Sequence, residues 1–269
     1  ALGVLLLASP KASNELRIIA CDVGQGDGLL VILPEGQQFV VDGGPGPKIE
    51  NCLWEYMPFW DREVEMLLST HPQQDHMEGL IGVLAKYKVK TIFTTGVPAK
   101  NALFLDWKDA ILQEKAWVIV PKSGQTIKYG DVSIDFLWPK DGDLWIWQKT
   151  PPADLNETSI VFRVNYGDFC AYFTGDITKE ILERLMNKPC QILKISHHGS
   201  KTGTTSKVLK DADPKAAIIQ VGVKNRYGHP TEEVLQMLES KGVKTYRNDT
   251  NGIIEVISDG KNFSVITER

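Results

Sequence analysis

His71, Asp75 and His76 bring two imidazoles and a carboxylate together within six residues, in the run LLSTHPQQDHMEGL at 67 to 80. These are ligand types that Zn²⁺ and similar ions prefer. Asp75 could equally cap a helix and the histidines could be solvated, so this spacing alone leaves both readings open.

The other histidines favour the first reading. The chain has only five, and His197, His198 and His229 stand as His71 and His76 do, after a strand-like run or in a glycine-flanked loop, in KISHHGSKT and NRYGHPTEE. Acidic residues repeat the pattern: Asp22 and Asp27 in CDVGQGDG, Asp42 in VVDGGPG and Asp176 in AYFTGDI. A single aspartate at a strand end is a common turn former. Several of them beside every histidine point to one converging polar site, with more candidate ligands than one tetrahedral ion needs.

Such a site requires elements whose ends meet. Val64, Met66, Leu67 and Leu68 read as a buried strand, and Met77 to Tyr87 reads as a helix with apolar positions at Leu80, Ile81, Val83 and Leu84. The first cluster therefore lies at a strand-to-helix turn, where side chains gather off the end of a sheet. Upstream, strand-like runs at 16 to 23, 28 to 34 and 37 to 44 form a meander. Downstream, a helix at 102 to 115 precedes strands at 117 to 121, 132 to 139, 158 to 167 and 168 to 176, the last two a hairpin turning at Asn165 to Asp168. Then come a helix at 178 to 187, a strand at 191 to 196, a helix near 204 to 210, a strand at 215 to 222, a helix at 231 to 241 and short closing strands. The stretch 138 to 157 reads as a long loop bordering the site. No linker or repeat interrupts this order, which predicts an α/β fold: a four-layered αββα sandwich in a single domain, 16 to 269.

Composition agrees with a folded chain: 42% hydrophobic residues in 269 can bury a substantial core. A net charge of −4 excludes a generally basic, DNA-coating protein. Charge is uneven, however, with eleven lysines and arginines against five acidic residues between 188 and 247, which suits a polyanionic substrate. Cys21, Cys52, Cys170 and Cys190 show no CxxC spacing, and Cys21 and Cys170, within apolar strand patterns, read as buried thiols. The apolar start, ALGVLLLAS, is too short to span a bilayer. Residues 1 to 15 are either the remnant of a membrane anchor or an edge segment.

The motifs DVGQGD, VDGG, THPQQDHMEGL, NETSIVFRV, FTGD, HHGSKT and NRYGHP, in this order from about Leu16 to Val256, resemble the metallo-β-lactamase-fold domain of ComEC-type proteins of DNA uptake and competence. That resemblance implies an αββα fold with two divalent ions, Mn²⁺ or Zn²⁺, and hydrolysis of DNA phosphodiesters, degrading the strand that is not transported during natural transformation. It also implies a domain on the extracytoplasmic face of the cytoplasmic membrane, attached to or working with a translocation channel, and monomeric when isolated. His71 with Gln73 would hold one ion and Asp75 with His76 the other, with Asp176 bridging and His197 and His229 completing the set. His198 would exchange roles with His197 or act on the leaving group. Asp27 and Asp42 would orient ligands. Lys201 and Arg226 would meet phosphate oxygens, and Asn156 and Ser159, which match an Asn and a Ser of the family, would touch substrate or metal or bond the loop. Asp75, Asp176, His198 and Lys201 would carry the chemistry.

One departure stands out. The family commonly has Asp where this chain has Gln73, and a neutral amide oxygen is a weaker ligand for such ions. Two other functions therefore stay open: another hydrolase on the same fold, such as a phosphodiesterase or phosphorylcholine esterase, or a DNA-binding domain whose metal chemistry has decayed at Gln73.

Overall fold

The computed structural model describes residues 14 to 269. The predicted anchor or edge segment lies, except for its last two residues, outside the described residues. No helix among the described residues is long and apolar enough to cross a membrane.

Two mixed sheets form the middle of the molecule. The first contains β1 (Leu16–Ala20), β2 (Gly28–Ile32), β3 (Gln38–Gly43), β4 (Glu63–Leu68), β5 (Lys88–Phe93) and β6 (Trp117–Ile119). The second contains β7 (Thr126–Tyr129), β8 (Val132–Trp138), β9 (Val161–Tyr166), β10 (Phe169–Phe173), β11 (Ile192–Lys194), β12 (Ala216–Ile219) and β13 (Lys244–Arg247). The chain then returns to the first sheet with β14 (Ile254–Ser258) and β15 (Phe263–Thr267), giving orders β15-β14-β1-β2-β3-β4-β5-β6 and β13-β12-β11-β10-β9-β8-β7.

Side chains alternate faces along a strand, and this alternation builds three cores. Phe39 and Val41 of β3, with Met66 and Leu68 of β4, face Phe162 of β9 and Phe173 of β10 between the sheets. The alternate residues Val40 and Leu67 meet Ile49, Leu53, Met77, Leu80 and Trp107 on α1 (Lys48–Tyr56), α2 (Gln74–Lys86) and α3 (Ala102–Glu114). On the far side Tyr172, Leu193 and Ala217 meet Leu182, Val208 and Val234. The stretch 138 to 157 is not the expected loop: α4 (Asp141–Trp147) occupies it, followed by a 3₁₀ turn at Leu155–Thr158. Helices α5 (Lys179–Leu185), α6 (Ser206–Ala212) and α7 (Glu232–Ser240) cover the second sheet, and a last turn, α8 (Asn248–Asn251), precedes β14. The four-layered αββα sandwich is as predicted.

The cysteines are not free thiols. Cys21 is bonded to Cys52, tying the chain after β1 to α1, and Cys170 is bonded to Cys190, tying β10 to the approach to β11. Each pair sits on neighbouring elements, a proximity that spacing alone does not reveal.

Strands β3 to β6 run parallel, as do β10 to β13. In both sheets the carboxyl ends of these strands carry the polar turns. α2 reaches this edge by direct backbone contact with β3: the Gly79 N–H donates to the Gly44 carbonyl at 3.0 Å, and a Cβ on Gly43 would fall 2.5 Å from the Leu80 nitrogen. No other residue fits there.

Candidate metal centre

The candidate ligands gather at the carboxyl ends of the parallel strands. Asp42 is the penultimate residue of β3, in left-handed backbone (φ 55°), and β4 runs into Thr70 and His71. The first turn of α2 holds Asp75 and His76. β10 ends before Asp176, β11 before His197 and His198, and β12 before the loop that carries His229. Asp27 precedes β2, which runs antiparallel to β3, and the pairing of Gly28 with Gly43 brings it to the same edge.

Asp75, His76, Asp176 and His198 form one group whose ligand atoms all lie within 4.8 Å of one another, and Asp27, Asp42 and His76 form a second. Nε2 of His76 and of His198 each stand 3.3 Å from Asp176 Oδ2. His71 lies beside His76 with ring centroids 4.2 Å apart and the rings tilted by 53°. His197 and His229 continue the row at 5.7 Å from each other. All five histidines and the four aspartates 27, 42, 75 and 176 thus gather at one sheet edge.

The outer nitrogens fix the rings. His76 Nδ1 donates to Asp42 Oδ2 at 2.8 Å, and His198 Nδ1 donates to the Gln220 carbonyl at 2.8 Å. Thr70 gives both its N–H and its hydroxyl to Asp42, so His71 Nδ1 donates to the Thr70 oxygen at 3.0 Å. With Nδ1 committed in all three rings, Nε2 is the nitrogen left to face the site. The Nε2 atoms of His71, His76 and His198 and Asp176 Oδ1 are buried and have no hydrogen-bond partner. Buried polar atoms are rarely left this way. Three imidazole nitrogens and a carboxylate oxygen converging without partners are a donor set for Zn²⁺ or Mn²⁺, and with Asp75, His197 and His229 beside them this edge offers enough ligands for a pair of ions.

Charge in the metal-free site follows from this crowding. Burial opposes charge on His76, but Asp176, Asp42 and Asp27 outweigh it and hold the imidazole well above its ordinary range. His198 is likewise raised against burial, by Asp176 first. Burial raises Asp176, yet His198 and His76 bring it well below the carboxylate range. His71 differs: burial and then His76 lower it to about 3, so its ring is neutral. Raised imidazoles stabilise the metal-free fold fully below the unfolded histidine value, about 6.5, and this contribution fades as pH rises through the folded values. Metal uptake must expel the protons from His76 and His198 Nε2. Apparent metal affinity should therefore rise with pH, with up to about two protons released per protein. Metal titration in buffers of different ionisation enthalpy measures this, and pH-independent uptake without proton release would contradict the assigned ligands.

The structure separates the two adjacent histidines. Both adopt left-handed backbone, φ 51° and 54°, which turns their rings apart. His198 is buried and joins the inner group in the place expected of His197. His197 is partly exposed, with Nε2 4.0 Å from Asp176. Gln73 donates its amide to Asn156 Oδ1 at 2.8 Å, which leaves its oxygen free. Ser159 Oγ accepts the Asp176 N–H at 3.1 Å and lies 3.3 Å from His71 Nδ1, so Ser159 orders ligands. Lys201 and Arg226 are exposed. Arg226 donates to the Tyr227 hydroxyl at 2.9 Å, and Arg226 and Tyr227, but not Lys201, border a cleft of about 420 Å³ lined also by Gln25, Gln74 and Asp75.

The basic sector is not one surface. Lys207 and Lys215 are paired with Asp211 and Asp213, and Lys194 is buried beside Asp27 and Asp176. Sequence reasoning missed Lys194, Thr70 and Gln220. The only signal was that Lys194 sits inside the apolar strand QILKIS.

Residues 21 to 223 match the family model described as the metallo-beta-lactamase superfamily. The chain is 29% identical over 276 residues to ComE operon protein 3 of Bacillus subtilis (strain 168), covering 93% of this chain and 34% of that protein. It is 26% identical over 265 residues to Competence protein ComA of Neisseria gonorrhoeae, covering 94% and 35%. The chain thus spans about a third of the length of these curated relatives. Among solved structures, the metallo-beta-lactamase fold protein YhfI of Bacillus subtilis superposes with a TM-score of 0.58 at 12% identity, over 89% of this chain and 99% of that one.

Proposed function

The chain belongs to the metallo-beta-lactamase superfamily as a metal-dependent hydrolase, and from that premise we propose that it hydrolyses DNA phosphodiesters in the manner of the ComEC-type domains its motifs resemble. The observation that carries the proposal is the buried donor set of His71, His76, His198 and Asp176, beside which Asp75 both joins His76, Asp176 and His198 and lines a cleft bordered by an exposed arginine and an exposed tyrosine. Two ions held there would supply Lewis-acid activation of a phosphodiester and of the attacking water. The protein's part is to hold the imidazoles through Asp42, Thr70 and Gln220, to keep Asp176 ionised, and to offer Arg226 and Lys201 to phosphate oxygens. No serine or cysteine nucleophile is required.

Two findings support a role in DNA uptake on the extracytoplasmic face of the membrane, beside a translocation channel. Proteins named for competence align with nearly the whole chain, and two disulfides suit an oxidising compartment. The degraded strand would be the one that does not enter the cell.

Tyr227 is 54% exposed and stacks on His229 at 5.8 Å, a fixed platform for a nucleobase next to the scissile bond. Stacking on an aromatic side chain contributes about 1–3 kcal/mol per base. Tyr227→Ala should therefore raise KM for single-stranded DNA roughly tenfold or more while leaving hydrolysis of bis(p-nitrophenyl) phosphate unchanged. An equal loss on both substrates would place Tyr227 behind His229 and not under DNA. Wild-type turnover of the small diester with none of DNA would overturn DNA as the substrate.

A further inference from the structure

Lys194, the last residue of β11, is the one buried lysine among the described residues, 2% exposed. Its ammonium pairs with Asp27, donates to the Gly175 carbonyl at 3.0 Å and lies 3.8 Å from Asp176 Oδ1. Its own carbonyl accepts from the Thr174 hydroxyl at 2.8 Å. It is thus tied through both its side chain and its main chain to Thr174 and Gly175, the residues that lead into Asp176.

Burying an ammonium is costly unless charge beside it compensates. Here the compensation is Asp27, whose position differs from that of its neighbours. Asp42 is satisfied by Thr70 and His76, while Asp75 and Asp176 belong to the inner group of candidate ligands. Asp27 is 1% exposed, and Asp27 Oδ1 has no hydrogen-bond partner, its neighbour at 3.3 Å being His198 Nδ1, which is already given to the Gln220 carbonyl. Asp27 Oδ2 is 3.7 Å from His76 Nδ1, close enough to the centre for a free carboxylate to compete for an ion. Lys194 occupies that oxygen.

We propose that Lys194 is an internal counter-cation that keeps Asp27 out of the metal shell, so that ions are held at Asp75, His76, Asp176 and His198. It is a positioning residue. This rests on the metal centre alone and is indifferent to whether DNA is the substrate.

The test is metal binding, read with Mn²⁺, Zn²⁺ and Co²⁺ by titration, elemental analysis and the Co²⁺ absorption spectrum. In Lys194→Met the freed Asp27 should bind metal roughly tenfold or more tightly than in wild type, with a shifted Co²⁺ spectrum and a larger rise in melting temperature on metal addition. Asp27→Asn leaves the ammonium unopposed and should weaken binding by a similar factor. The double variant Asp27→Asn/Lys194→Met, which removes both charges, should return affinity and spectrum to near wild type. It also keeps the test decisive if Lys194→Met fails to fold without metal. Unchanged or weaker binding in Lys194→Met, unchanged binding in Asp27→Asn, or a double variant that departs from wild type would each overturn the proposal.

Discussion

Asp176→Ala is expected to lower metal-dependent DNA cleavage by about a thousandfold or more and bound metal from about two ions to one or fewer. Asp176 is 2% exposed and stands between Nε2 of His76 and of His198 at 3.3 Å each. Among the described residues it is the carboxylate that faces Nε2 of both inner imidazoles. Its removal deletes a ligand and also the charge that holds those rings in register. The surrounding cores do not depend on it, because Phe173 and Ile177 on either side pack into separate clusters. The variant should therefore fold, with near-ultraviolet dichroism like that of the wild type. Elemental analysis and cleavage of single- and double-stranded DNA, run on the same preparation, check the result. A variant that keeps both ions and its activity would move the chemistry away from this sheet edge. A wild-type protein that holds two ions yet cleaves nothing would instead favour a centre that binds without turning over.

The second large effect concerns stability. The disulfides Cys21–Cys52 and Cys170–Cys190 close sequence separations of 31 and 20 residues. Loops of this size restrict the unfolded chain by about 3–4 kcal/mol each in the chain-entropy account. Replacing either pair by serines should then lower the melting temperature by roughly 6 to 15 °C, and reductant should do the same to the wild type. Thiol counting on the denatured, unreduced protein should find none free. Four free thiols and a melting temperature insensitive to reductant would refute the pairing and remove one support for an extracytoplasmic setting.

Much of this molecule was legible before its structure. The sandwich follows from strand-like runs whose apolar residues alternate, as Phe39, Val40 and Val41 do between two cores, and the site from the habit of every histidine to stand beside a strand end. What escaped did so for identifiable reasons. In α1 only Ile49, Cys52 and Leu53 are buried, among charged neighbours, too narrow a stripe to mark a helix. β7 pairs at a sheet edge and buries no residue fully, so it lacks the apolar signal of an inner strand. Lys194 was counted with surface charge because sequence gives a lysine's sign but not its depth. The cysteine pairs and the order of His197 and His198 depend on which segments lie side by side and on two left-handed residues in succession, neither of which has a local signature.

The contact of Gly43 and Gly44 with Gly79 and Leu80 has a consequence for how the protein tolerates change. Where a helix rests on a sheet through side chains, their separation drifts as those side chains are exchanged, and cores reorganise around altered volumes. Here the separation of β3 from α2 is set by main-chain atoms, which no substitution at the surrounding apolar positions alters. Asp42 at the end of β3 and His76 in the first turn of α2 are thus held at bonding distance by a joint of fixed length. Mutational drift in the outer core can erode stability while the spacing of the candidate metal ligands stays constant, so the polar edge and the apolar interior are free to diverge at different rates.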